Sequence, residues 1–113
     1  MAYSEVSDVK LVLLIDADED SFDTELSSCI ASADALVDGL LKKVGLTVPG
    51  TVPQLIEDAS AYFAAWLFKD RRGPDVEAVA AKLWEQAHKF LDNYIDTEED
   101  VAFLVGTADD DKR

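Results

Sequence analysis

Asp16, Asp18 and Asp20 alternate along the chain as the first ligands of an EF-hand calcium loop do. The pattern then fails. Ser21 stands at the sixth position, where glycine makes the sharp turn, and Ser27 at the twelfth, where a bidentate glutamate belongs. The stretch reads better as a solvated loop capping the helix that follows. His88 is the single histidine and Cys29 the single cysteine, far apart in sequence. One imidazole without a partnered acid or base does little chemistry, so His88 is expected at the edge of an apolar stripe. Cys29 falls inside such a stripe, which predicts a buried thiol, and it excludes an internal disulfide or a multi-cysteine zinc site. No glycine-rich phosphate loop, metal-ligand pair or nucleophile elbow is present. These residues predict no catalytic group, no metal and no cofactor: the chain does not read as an enzyme.

Two other groups invite contact rather than catalysis. Lys69, Arg71 and Arg72 form the main basic cluster of a very acidic chain. They can cap a helix dipole or meet an acidic face of a neighbouring copy, and both roles are compatible. Val101, Phe103, Leu104 and Val105 lie in a short apolar segment of strand-like composition fenced by acidic residues. It either folds back onto the core or docks into a partner.

The elements that position these groups follow from periodicity. The central one spans Val52 to Arg72, with Leu55, Ile56, Ala59, Tyr62, Phe63, Trp66 and Leu67 at helical spacing. Pro53 suits its first turn, Gly73-Pro74 ends it, and Ala61, Ala64 and Ala65 let a neighbouring helix approach closely. Before it, Ser7 or Asp8 caps a short helix carrying Val9, Leu11, Val12 and Leu14. A longer helix runs from a cap at Asp20 or Ser21 to about Lys43, with Phe22, Leu26, Cys29, Ile30, Ala33, Leu36, Val37, Leu40 and Leu41 on one face. Ser27, Ser28, Ser32, Asp34 and Asp38 fall on the other face, and Gly45 is the stop. After the central helix, Asp75 opens a fourth, with Val76, Val79, Ala80, Leu83, Trp84, Ala87, Leu91, Tyr94 and Ile95 in register. The expected fold is all-α: three main helices and a short N-terminal one in a domain over residues 1–95, with an extended acidic C-terminal arm over 96–113.

The 113 residues suffice for one modest core, and 49% hydrophobic content predicts folding rather than disorder. No apolar run is long enough to span a bilayer, and no basic region precedes an apolar core at the N-terminus, so neither a membrane helix nor a signal peptide is expected. Ten basic residues against twenty-four acidic ones give a formal charge of −14, which argues against gripping nucleic acid. Sixteen of the acids are aspartates, the composition of a surface that works in concentrated salt. A halophilic source is the resulting hypothesis, and a fold most stable in dilute buffer, gaining nothing from molar KCl, would overturn it.

Val6-Ser7-Asp8-Val9-Lys10 with Leu14, the acidic gap, and the run from Asp23-Thr24-Glu25-Leu26 to Ala33-Asp34-Ala35-Leu36-Val37 resemble the head–tail connector proteins of tailed viruses. So do Val52-Pro53-Gln54-Leu55, Asp58-Ala59-Ser60-Ala61-Tyr62-Phe63 and Arg71-Arg72-Gly73-Pro74. The resemblance covers roughly residues 3–95 and rests on helix order and apolar pattern. It implies a structural adaptor, assembled in the host cytoplasm and placed in the virion neck. Such adaptors form a dodecameric ring beneath the portal protein, with tail proteins on the far side, and DNA passes through without specific binding. It also implies that Val101, Phe103, Leu104 and Val105 dock into the portal, and Lys69, Arg71 and Arg72 become candidate contacts between subunits. The alternative is a small acidic module, binding calcium through Asp16, Asp18 and Asp20 or acting as a decoy for a basic protein.

Overall fold

Among the described residues the chain forms four helices: α1 (Val6–Leu13), α2 (Asp23–Lys43), α3 (Gln54–Asp70) and α4 (Glu77–Val105). The computed structural model describes the backbone of residues 2–72 and 77–105, with side chains up to residue 72 and from 79 to 98. The expected stop at Gly73-Pro74, the expected start at Asp75 and the tail over 106–113 lie outside the described residues. Among the described residues there is no strand, as the all-α reading requires.

α3 is the middle of the packing. α1, α2 and α4 each lie against it, and α4 packs on nothing else to a comparable extent. The reason is composition. Ile56, Ala59, Phe63, Ala64 and Ala65 have no exposed surface, and Ala61 retains 4%. Small side chains around most of the circumference let neighbours close in on several sides, so the buried surface is broader than a single stripe. Phe68, beyond the expected apolar set, is buried as well. On the α2 side, Leu26, Cys29, Ala33, Val37 and Leu41 are fully enclosed, matching the face read from spacing. Each enclosed Leu, Ile or Phe stabilises the fold by about 1.5–3 kcal/mol relative to exposure. On the α4 side aromatic rings meet, edge-on for Phe63 with Trp84 and tilted for Trp66 with Trp84 and Tyr62 with Phe90. Trp84 lies 5.2 Å from Phe63 and 4.3 Å from Trp66, and Tyr62 lies 5.1 Å from Phe90.

The helix ends show where local chemistry decides. α2 stops at Gly45, as expected. Gly45 has φ 78, its N–H donates to Lys42 O, and Leu46 N–H donates to Leu41 O at 2.9 Å. α1 ends with the same pair of bonds, Leu14 N–H to Leu11 O and Ile15 N–H to Lys10 O, but the left-handed position is filled by Leu14 at φ 61. α1 also begins earlier than Ser7 or Asp8. Glu5 is its cap residue, and the Asp8 carboxylate reaches back to accept the Glu5 N–H at 2.8 Å. Likewise α2 begins at Asp23 rather than at Asp20 or Ser21, because the Ser21 amide and hydroxyl both turn onto Glu19 Oε1.

Three expectations about apolar faces need correction. Leu11 and Leu14 do not join the core: they are 76% and 90% exposed, and Val9 alone of the α1 set is fully enclosed. Val79, expected in register on α4, is half-exposed. The arm beyond Ile95 begins as a continuation of α4, helical to Val105 instead of strand-like. Charge at Asp96, Glu98, Glu99 and Asp100 ends the apolar register but not the helix, since glutamate is a good helix former. Thr97 Oγ1 bonds back to the Asn93 carbonyl at 2.8 Å.

Candidate functional site

A buried polar network ties the N-terminal segment across α2 and α3. Ser60 faces the core from the alanine-rich side of α3 and donates its hydroxyl to Asp34 Oδ1 at 2.7 Å. Ser4 Oγ lies 2.7 Å from Ser60 Oγ, and both serines are buried. The other Asp34 oxygen accepts the Tyr3 N–H at 3.0 Å, and the Tyr3 hydroxyl donates to Asp38 Oδ1. Burial pushes the Asp34 carboxyl above its ordinary range, against the opposing pull of the Ser60 and Tyr3 donors. The Asp38 acceptor, with burial, pushes the Tyr3 phenol up to about 12. Serine and aspartate in contact suggest nucleophile chemistry, but Ser60 has no exposed surface and its partners are an acid and a hydroxyl. His88, the base such chemistry needs, sits on α4 with its ring 5.2 Å from Phe63 and 4.5 Å from Trp84. The network is an anchor. Asp34 belongs to it rather than to the solvated face expected for it, and the signal that points there is Ser60, a polar residue in an apolar stripe that requires a buried partner.

The basic end of α3 turns inward. The Arg72 guanidinium grips Glu25 in a fork, Nη1 to Oε2 at 3.0 Å and Nη2 to Oε1 at 2.9 Å. Its centre lies 3.8 Å from the Phe68 ring centroid and 5.7 Å from that of Phe22. Arg71 approaches the same carboxylate at 3.8 Å. The fork holds Glu25 below the usual carboxylate range. Antiparallel packing explains the pairing: the last turn of α3 lies beside the first turn of α2, so each charge suits its own helix dipole and faces the other. Arg72, expected to meet a neighbouring subunit, is therefore engaged within its own chain. Lys69 and Arg71 remain at the surface, with the Arg71 side chain 42% exposed.

The acidic loop also folds around a contact not foreseen from sequence. Lys10 is only 5% exposed, with its ammonium 2.9 Å from Asp23 Oδ1 and 3.2 Å from the Ala17 carbonyl. It fastens the loop to the start of α2. Nothing in its own stretch predicts this; the signal is a lone cation opposite five acids between residues 16 and 23. Asp16, Asp18 and Asp20 are exposed, and among the described residues no three His, Cys, Asp or Glu side chains gather where a metal ion could sit. Cys29 is buried, as expected, and burial raises its thiol pKa. Val101, Phe103, Leu104 and Val105 lie on the helical backbone of α4, and their side chains are outside the described ones. Among the described residues no helix is long and apolar enough to cross a membrane.

No protein-family model, curated protein or solved structure matches this chain.

Proposed function

We propose that the protein is a structural adaptor of the head–tail connector type, a ring-forming component of a virion neck that binds a portal protein on one side and a tail protein on the other. The observation that carries this reading is the form of α4. Among the described side chains Ile95 is the last of α4 to reach the core, and the helix continues to Val105. Ten further helical residues extend about 15 Å, a reach suited to docking into a partner. The α3-centred bundle and the order of residues that resembles connectors support it, as does a charge of −14 that repels passing DNA. Val101, Phe103, Leu104 and Val105 are the proposed portal contacts. Lys69 and Arg71 are the cations of this cluster most open to a subunit contact, since Arg72 is held by Glu25 in a fork and Arg71 only approaches it at 3.8 Å. The calcium alternative has no gathered ligands to support it.

Truncation after Ile95 tests the proposal. Circular dichroism should show the bundle still folded, while co-sedimentation with a portal ring should be lost. Unchanged portal binding by the truncated chain would overturn it.

A further inference from the structure

Of the four large apolar side chains that the described surface leaves most open, Leu11 and Val44 each lie beside a cluster of charge, acidic for the first and basic for the second. Between α1 and α3 lies a cleft of about 310 Å³ with Val12, Ala61 and Tyr62 on its walls and three carboxylates, Asp8, Glu57 and Asp58, around it. Asp8 is occupied by the Glu5 amide and Asp58 by the neutral Gln54 side chain at 2.9 Å. Glu57 has no partner among the described residues, and no lysine or arginine lines the cleft. Leu11 stands at its edge, 76% exposed, and Leu14, at the end of α1 three residues on, is 90% exposed. At the end of α2 the signs reverse. Lys42 and Lys43 are exposed and make no ion pair among the described residues, and Val44, next to them, is 49% exposed.

We infer that these two surfaces are halves of one contact between copies of this chain: the Lys42–Lys43–Val44 corner of one copy docks at the Glu57–Asp58 cleft of the next. The inference rests on the ring reading and gives it a specific joint. Lys42 and Lys43 meet Glu57, Asp58 and the free edge of Asp8, while Val44 covers Leu11 and Leu14. The corner suits this cleft better than the end of α3 does, because there Asp70 separates the cations and Glu25 already holds Arg72. Unlike surfaces that join head to tail build a ring when the rotation closes. Each copy carries −14, so in dilute buffer the copies repel. At about 1 M salt the screening length falls to about 3 Å, which removes that repulsion but leaves contact pairs and apolar burial in place. Association through this joint should therefore rise with KCl, the reverse of an ordinary charge-matched interface.

Charge exchange is the test, read by sedimentation at high protein concentration in 0.1–2 M KCl, conditions chosen around the ~1 M screening argument, with and without a portal ring. The variants K42E/K43E and E57K/D58K should each weaken self-association about tenfold or more, equivalent to ~1.4 kcal/mol. An equimolar mixture of the two should restore it, because the reversed corner fits the reversed cleft. A D18N/D20N variant, which removes like charge elsewhere, should associate at least as well as the unaltered chain. Carbodiimide cross-linking of a mixture of ¹⁴N- and ¹⁵N-labelled chains should join Lys42 or Lys43 to Glu57 or Asp58 between copies. Rings that form on the portal but ignore both variants would overturn the joint and leave the ring reading standing. Cross-linked, charge-exchangeable pairs that never exceed two copies would keep the joint and overturn the ring. A chain that stays monomeric under every condition would overturn both.

Discussion

Replacing Arg72 with alanine separates two accounts of the basic end of α3: a lock within the monomer and a contact between subunits. Within the monomer the guanidinium makes a two-pronged pair with Glu25, the two side chains being 34% and 30% exposed, and stacks 3.8 Å from Phe68. A pair this exposed contributes about 0.5–1 kcal/mol even with good geometry. The cation over the ring adds about 0.5–1 kcal/mol. R72A should therefore cost about 1–2 kcal/mol, a fall in Tm of roughly 4–10 °C for a domain of this size. R72K should lie between, since an ammonium keeps the charge but loses the fork and the planar stack. A double-mutant cycle with E25A should show a coupling of about 0.5–1 kcal/mol. Molar KCl should weaken that coupling only in part, because the two groups are in contact at about 3 Å, no farther apart than the screening length, and the stacking part should persist. Glu25 is held below its unfolded value, so the pair's contribution is present above about pH 4.3 and is lost as pH falls through the lowered folded value. The assay is thermal and urea unfolding of the isolated chain. An R72A monomer as stable as the parent that nonetheless fails to assemble would refute the lock and return Arg72 to a subunit contact.

Leu14→Gly should stabilise the fold by about 0.5–1 kcal/mol, because a left-handed backbone at φ 61 costs a leucine more than a glycine and a side chain 90% exposed loses little by removal; a lower Tm for the glycine variant would sink this account. The Tyr3–Asp34 network should give two pH signatures. Asp34 has a raised folded pKa, so the fold binds the extra proton, and stability should decline as pH rises from about 3.9 toward that raised value. D34N, still able to accept the Ser60 hydroxyl, should flatten this decline in urea titrations, and an unchanged slope would count against it. Tyr3 is pushed to about 12, so the stability its hydrogen bond supplies should be present below about pH 10 and be lost as pH climbs toward that value. The Tyr94 phenol is also raised, chiefly by burial, so ultraviolet titration should show two late-titrating phenols and Y3F should leave one; two late phenols in Y3F would assign the Tyr3 shift elsewhere.

The bundle was legible because its faces repeat at helical spacing. Leu26 through Leu41 on α2 and Ala87 through Tyr94 on α4 bury the residues that periodicity selects. Gly45 and the alanines of α3 were legible for the same kind of reason, a local property that needs no knowledge of the partner. The pairings between elements were not. Arg72 with Glu25, Asp34 with Ser60 and Lys10 with Asp23 each join residues that no local pattern links, and each depends on which helix ends lie side by side. The acidic run that continues α4 misled for another reason: loss of an apolar register ends the packing face of a helix without ending the helix.

Leu11 and Leu14 are a different kind of discrepancy. Their spacing fits the stripe of α1, yet the chain exposes both and holds Leu14 in a conformation that glycine adopts without strain, as Gly45 does at the end of α2 with the same hydrogen bonds. Local strain with no gain inside the monomer points to a gain outside it. If the leucine is kept for the contact with Val44 of another copy, L14G should raise monomer stability and weaken assembly together, two effects of opposite sign from one substitution. A glycine variant that is both more stable and equally able to assemble would leave Leu14 without a role in the joint, and the cleft would then rest on Leu11 and its carboxylates alone.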